Sequence, residues 1–510
     1  MVLFCFIAGK AVAQIPEDAL KYSWYPQNGT ARNLAIGGAM GSLGGDLTAT
    51  YVNPAGLAFY KTGEVVISPG FLLNKNKFNF RDTRSSISNN GFNLGPTGLI
   101  LGGTADKGRT SSGAISLVIT QTVNLNNVSH YSGLNNLSAY TETFAEEFAR
   151  SGLTIDEVLN LNSKRPYGAA PAIYSYLIDT ATVNGKTIVK AATDKILDAG
   201  QALRQDFYKK TSGGLYEAAL GFAVNQKDRW MFGGTLGIPL VNYNSSTVVK
   251  EADTSNNATN GFNSMEYHDD FKTTGAGVNL KVGAIFRPQQ YIRIGFALHS
   301  PSFMWLREER STTLSTKAEG PYLIDSTVSS HSFTNGQAGR TKYIQSSPWR
   351  AILSASYVFR ETADVSRQRA FLTADVEYVN HKGSRFANNN KGATDADNAY
   401  AKDLNNVVKE IYKGTLDFRV GGELKFNTLM GRLGFAYYGN PYNDSQLKAR
   451  KMLLSGGLGY RNKGYFLDVT YIYNISKDVN FPYRLEGQAN TYAAVEQKIG
   501  NVVATVGWKF

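Results

Sequence analysis

The chain has 510 residues, with 53 basic and 41 acidic side chains and a net charge of +12. That length suits about three ordinary domains or one large β architecture, and 51 Gly, 29 Tyr and 27 Phe favour strands and turns over a helical bundle. A single cysteine, Cys5, excludes a disulfide framework and a cysteine-based metal site.

Residues 1–13, MVLFCFIAGKAVA, read as a secretory signal peptide. Val2–Ala8 is apolar and Ala11-Val12-Ala13 is an A-x-A cleavage site. No basic segment precedes the apolar run, which leaves room for a start upstream of Met1. An exported chain that loses Cys5 suits the periplasm or the outer membrane. After Gln14 no run of 18 apolar residues occurs, so a helical membrane span is excluded. A secreted protein or a membrane β-barrel remains.

Residues 14–62 do not alternate as a strand does. Ala31–Gly45, ARNLAIGGAMGSLGG, is dense in Gly and Ala, which let backbones pack closely. Leu34, Ile36, Met40 and Leu43 are too apolar for a flexible linker. Gly44–Tyr60, GGDLTATYVNPAGLAFY, places an Asn-Pro turn among small and apolar residues. Such a segment is expected inside an enclosure, as a compact plug.

From residue 63 onward the dominant period is two. Val278, Leu280, Val282, Ala284 and Phe286 alternate with Asn279, Lys281, Gly283 and Arg287. Leu372, Ala374, Val376 and Tyr378 alternate with Thr373, Asp375 and Glu377, and Leu416, Phe418 and Val420 with Asp417 and Arg419. About fourteen such runs are expected, near 63–81, 92–105, 111–128, 213–226, 229–249, 266–287, 290–311, 336–360, 369–386, 411–427, 429–440, 449–462, 464–478 and 492–510. Many reach about ten residues, the length that crosses a bilayer at a tilt. A soluble sandwich has shorter strands and a charged outer face. The fold class is therefore all-β: a transmembrane antiparallel barrel, 63–510, of about fourteen strands. Its lumen is the enclosure for a 14–62 plug. Tight links such as Asn225–Asp228, Pro288-Gln289 and Asn462–Gly464 are expected at the periplasmic end.

Residues 139–212 form a partly helical extracellular insert. Glu142–Ala149 and the capping box Thr154/Glu157 mark two helices, and Asp194–Lys210 is expected as a third. Residues 387–410 are a second candidate outer loop. The excess positive charge suits lipopolysaccharide phosphates better than nucleic acid. Lys164, Arg165, Lys209 and Lys210 are candidate outer capture charges for carboxylates. Histidines 130, 268, 299, 331 and 381 stand singly, without metal-ligand spacing. Asp395–Asn398 lacks the glycine and glutamate of a Ca²⁺ loop. No catalytic residue, metal or cofactor is expected.

The last strand, NVVATVGWKF, ends on Phe510 and resembles the terminal strand of bacterial outer-membrane barrels, where that residue signals to the assembly machinery. The sequence as a whole resembles the FadL-type outer-membrane transporters of long-chain fatty acids and other hydrophobic compounds. The resemblance is carried by Asn53-Pro54-Ala55-Gly56-Leu57 before the first strand, and by the blocks at 279–301, 371–380 and 418–441. It implies a fourteen-stranded barrel, an N-terminal hatch, an internal hydrophobic pocket and passive uptake with a sideways exit into the bilayer, for which Gly and Pro interruptions early in the barrel, such as Gly91–Gly98, are candidates. It also places Asn53, Pro54, Ala55, Gly56 and Leu57 in the hatch, as a rigid turn that holds it without touching ligand and that gates through hatch stability, and it implies pocket contacts for Ile15, Leu20 and Tyr22. Hydrophobic small molecules and outer-membrane lipids are the expected partners, and a monomer suffices. The competing readings are a polar-solute porin, with steady conductance, and an adhesin that binds through 139–212.

Overall fold

The computed structural model describes residues 16–103, 111–183, 185–320, 323–359, 369–390, 394–445, 447, 449–486 and 488–510. The expected signal segment 1–13 lies outside the described residues. Fourteen antiparallel strands close into one barrel. They are β1 (64–80), β2 (83–102), β3 (111–135), β4 (Leu203–Gln226), β5 (Trp230–Asp253), β6 (Ser264–Gln289) and β7 (292–317). They continue as β8 (339–359), β9 (370–388), β10 (Gly414–Phe426), β11 (Leu429–Tyr438), β12 (Arg450–Asn462), β13 (Tyr465–Asn480) and β14 (Ala493–Lys509). Backbone ladders between β14 and β1 close the ring.

The alternation is inverted relative to a soluble protein. Leu236, Ile238 and Leu240 of β5, and Leu416, Phe418 and Val420 of β10, face outward and are exposed. The residues between them face inward, and on β9, β10 and β13 these include buried Asp375, Glu377, Asp417, Arg419 and Asp468. An apolar outer wall with all strand edges paired is the form in which strands cross a bilayer. Aromatic rings gather at the end that carries the tight turns. Trp230 stacks on Phe286 at 4.3 Å, Tyr291 meets Tyr357 at 5.3 Å, and Trp508 meets Phe510 at 5.3 Å. Left-handed Lys227, Asp228, Lys463 and Gly464 make two of those turns.

Each expected run falls on a strand, with two extended starts. β2 begins at 83, not 92, because TRSSISNNGFNL is polar on both faces and carries no period-two signal. β4 begins at Leu203, not 213, and corrects the third helix of the insert: that helix is Asp194–Asp198 only. Gly200 turns the chain at φ +70°, and Leu203, Gln205 and Phe207 then alternate inward. The insert otherwise holds the helix Thr141–Ser151, the capping-box helix Ile155–Val158, and a hairpin of Ile178–Val183 with Lys186–Ala191. The outer segment after β9 contains the helix Asp395–Ile411.

Candidate functional site

Residues 16–62 run through the barrel as short helices, Asp18–Lys21, Ala31–Ala35 and Ala49–Val52, and a 3₁₀ turn, Pro54–Phe59. So short a segment cannot satisfy its own backbone, and wall side chains do it instead. Gln345 donates to the Asp18 carbonyl at 2.9 Å, Arg350 to Ser23 at 2.6 Å, and Lys451 to Trp24 at 2.7 Å. Arg293 reaches the Leu43 carbonyl at 2.6 Å, and Asp375 accepts from the Gly41 N–H at 3.0 Å. Most of the wall's own charges pair with one another. Arg419 meets Glu377 at 2.5 Å, Arg432 bridges Glu423 at 2.6 Å and Asp468 at 2.5 Å, and Lys281 pairs with Glu217.

The Asn-Pro-Ala turn is fully buried against β5–β7. Asn53 accepts from the Ala55 N–H at 3.1 Å, which caps the 3₁₀ turn, and Pro54 opens that turn where its missing N–H costs nothing. Its amide donates to Gly41 O at 2.5 Å and lies near Ala284 O and Phe296 O at 3.3 and 3.4 Å. Wall glycines make the room. A Cβ at Gly283 would stand 1.9 Å from Asn53 Oδ1, one at Gly233 2.3 Å from the Pro54 carbonyl carbon, and one at Gly434 2.0 Å from Gly37 N. Gly56 packs on Ala49 and Gly44, and Leu57 sits in an apolar cluster with Ile100, Met231 and Ile285.

Above this packed zone lies an inner cavity of about 460 Å³, bordered by Leu20, Trp24, Tyr25 and Asn28 of the N-terminal segment. Of the sequence candidates, Leu20 lines it. Tyr22 instead packs into a cluster with Met304, Leu306 and Tyr343, and Ile15 lies outside the described residues. Burial opposes the charge of Lys21, but Asp18 at 2.6 Å overrides it and raises the lysine pKa.

The cavity meets a break in the wall. β2 and β3 share a ladder only from Thr97–Gly102 to Ala114–Ile119. Beyond it, Pro69–Phe80 holds Thr83–Leu94, while 120–135 pairs with β4. Gly95-Pro96 interrupts β2 at that point, and Pro96 has no N–H to extend the ladder. Side chains span the seam: Asn124 donates to Phe92 O at 2.9 Å, and Asn28 donates to Leu94 O at 3.0 Å and Gln121 O at 2.8 Å. Asn89, Gly91 and Asn93 on one side and Asn124 and Asn126 on the other line both seam and cavity. Phe92 is 78% exposed on the outer side.

A larger cup of about 1300 Å³ lies outward, under the insert. Tyr131, Tyr140, Phe207, Tyr208, Phe481 and Tyr483 line it, with Arg150, Lys209 and Arg484. Pro16 and Glu17 border the cup while Leu20 and Lys21 border the inner cavity, so one helical turn separates the two. The four candidate capture charges are not gathered. Lys209 lines the cup, Lys210 a separate pocket, Lys164 is exposed, and Arg165 lies near Glu147. The histidines take separate partners: His299 meets the Val52 carbonyl at 2.9 Å and His130 meets Asp206 at 3.1 Å.

Among solved structures, the fold matches a Pseudomonas aeruginosa FadL homologue with a TM-score of 0.52 at 15% identity, over 94% of this chain and 98% of that one. It also matches the Pseudomonas putida toluene transporter TodX, TM-score 0.51 at 12% identity, over 96% and 100%. This is the FadL-type fold. No family model and no curated protein matches the sequence. Within the FadL-type barrel, sequence reasoning missed the cavity wall and the outer cup. Their lining comes from many strands and loops; the Gly and Pro interruptions of Gly91–Gly98, the candidate place for the opening in the sequence, do fall at the seam.

Proposed function

We propose that the protein is an outer-membrane transporter for the passive uptake of hydrophobic compounds, with lateral release into the bilayer. One observation carries the reading: a cavity inside the barrel borders a seam in the lipid-facing wall, above a lumen filled by residues 16–62 and paired charges. A nonpolar solute gains nothing from a water-filled exit, and a side exit spares it that exposure. The outer cup, rich in aromatic rings, receives the solute first. Residues 16–28 form the partition between cup and cavity, and Asn53–Leu57 is the anchor that holds the hatch. The shared fold with a FadL homologue and a toluene transporter supports the hydrophobic class. Long-chain fatty acids and aromatic hydrocarbons both belong to it. Basic rim residues meet lipopolysaccharide phosphates, and the Phe510 strand addresses the assembly machinery; a closed barrel acts as a monomer. The reading includes no catalytic step.

The test is uptake by cells that lack their own transporter, using a labelled long-chain fatty acid and labelled toluene. Expression of this chain is expected to restore entry of at least one. Failure of both, with the folded barrel in the outer membrane, overturns the reading.

A further inference from the structure

Charge is not spread evenly round the outer end of the barrel, the end that carries the insert. On β5–β8 outward-facing cations stand against acids. Lys250 lies opposite Glu266 and bridges it at 3.0 Å, Lys272 lies opposite Glu309, and Arg307 and Arg340 reach Glu309 at 2.8 and 3.1 Å. Across β12, β13, β14, β1 and β2 the register does the reverse. Lys75 lies directly opposite Lys498, and Lys477 directly opposite Arg450. Lys77 and Lys477 flank Glu496 from its two neighbouring strands, and Arg84 lies one strand further on, opposite Asn79. Glu496 is the one acid on these outward rows among the described residues, and Lys498 holds it at 3.1 Å. Lys75, Lys77, Arg84, Arg450 and Lys477 are exposed and form no ion pair among the described residues. Like charges directly opposite one another in a ladder are destabilising. A face that keeps two such pairs around a single acid suits an anion supplied from outside.

The rows beneath the patch say which kind of anion. The outward row of β1 runs Phe71, Leu73, Lys75, Lys77, so apolar gives way to basic within two residues, about 7 Å. Neighbouring strands change at the same level: Phe92 and Val502 lie opposite Phe71, and Tyr473 and Leu73 lie on either side of Gly500. Phe71, Leu73, Phe92, Tyr471 and Val502 are exposed on the outer wall. A groove of about 740 Å³ on this face is bordered by Lys75, Lys77, Arg84 and Lys477, and by Tyr492. A small soluble anion would use the cations and leave the apolar rows idle, and a neutral lipid would do the opposite. A molecule with phosphates above acyl chains uses both.

We propose that this face is a binding site for a phosphorylated glycolipid of the outer leaflet, its phosphates on Lys75, Lys77, Lys477 and Lys498 and its acyl chains along Phe71, Leu73 and Val502. The inference rests on the outer-membrane reading and gives its lipid partner a place on the barrel. β1 and β2 form the hairpin whose second strand edges the seam, so the bound lipid stands beside the exit.

The experiment purifies the full chain in detergent, strips it of lipid, and titrates it in native mass spectrometry with bisphosphorylated lipid A, the same lipid A with both phosphates removed, and inorganic pyrophosphate. One lipid A per barrel is expected, bound at least about tenfold tighter than its dephosphorylated form and weakened as ammonium acetate is raised. Lys75→Gln/Lys77→Gln/Lys477→Gln is expected to lose about tenfold or more, the scale of three basic side chains at an anionic lipid surface. Lys250→Gln/Lys272→Gln/Arg340→Gln makes the same change in net charge on the paired side and is expected to bind as the unaltered chain does. Heat-modified gel mobility checks that both barrels are folded, and the dephosphorylated and salt arms on the unaltered chain serve where a variant does not fold. Equal binding of the two lipid A forms overturns the inference, as does an undiminished affinity in the folded first variant or an equal loss in the second. Displacement of lipid A by an equimolar amount of pyrophosphate would mark a free-anion site and overturn the lipid assignment. Failure of lipid A to bind leaves the uptake assay untouched, and failure of uptake with lipid A bound removes the transport reading alone.

Discussion

Asn53 shows how a single side chain holds the N-terminal segment in shape inside the barrel. Its carbonyl oxygen caps the Pro54–Phe59 turn and its amide donates to Gly41 O. Removing a buried partner of this kind costs about 1–3 kcal/mol, because the groups left behind stay desolvated. Asn53→Ala is expected to leave the barrel folded, to speed amide exchange across 41–57, and to lower uptake several-fold at matched protein levels. Gly283→Ala reaches the same bonds from the wall side, since its Cβ would stand 1.9 Å from Asn53 Oδ1. Equal hatch protection in both variants and the wild type would show that the turn is not the anchor.

At the scale of elements, the β2–β3 seam is set by two devices: Gly95-Pro96 in β2 and the irregular register between Gln121 and Val123 in β3. A bulge and a proline both end a ladder, and the amides of Asn28 and Asn124 then bridge what the backbone does not. A Cβ on Gly91 would lie 3.7 Å from the Asn126 amide nitrogen across the seam. Gly91→Cys/Asn126→Cys, in a chain whose sole native cysteine is Cys5, is therefore expected to crosslink through a short, reducible thiol-reactive linker. Uptake should fall at least tenfold on crosslinking and recover on reduction; unchanged uptake would move the exit elsewhere. The insert has its own pH dependence. Burial pushes the Glu147 carboxyl up, against the pull of Arg165 and the Ala169 N–H. The folded insert then holds this proton more tightly than the unfolded chain does, so acid stabilises it. That contribution fades as pH rises through the unfolded value of about 4.3 toward the folded one. Amide exchange in Thr141–Ser151, corrected for the intrinsic rate, is expected to slow as the pH is lowered from neutrality toward about 4.3. Glu147→Gln should flatten that trend.

For the whole molecule, what separates a hydrophobic transporter from a porin is what fills the lumen. Residues 16–62 occupy it, wall charges are joined as Arg419–Glu377 and Arg432–Asp468, and glycines on β5, β6 and β11 bring the hatch into contact with the wall. Buried pairs of this kind cost about 3–5 kcal/mol to break from one side, so the floor resists opening. Planar-bilayer recordings of the intact protein are expected to show no steady ionic conductance. Deleting residues 16–62 should produce a conducting pore. Steady conductance from the intact chain would favour the porin reading.

The sequence by itself determined the barrel, because a period of two is a local property. Every second residue of β6, β9, β10 and β13 had to face outward from the barrel, and those residues are apolar along contiguous stretches. It also marked Asn53-Pro54 as an enclosed turn, since such turns in solution are polar. Where neighbouring residues carry no alternation, as in Thr83–Leu94, the strand was illegible, and Asp194–Lys210 misled because polar strand ends resemble a helix surface. Only the tertiary structure decided the site. The cavity brings Leu20 together with Asn93, Asn126, Asn474 and Asn501, from both ends of the chain. Register sets Lys75 opposite Lys498, and no local pattern encodes register between distant strands.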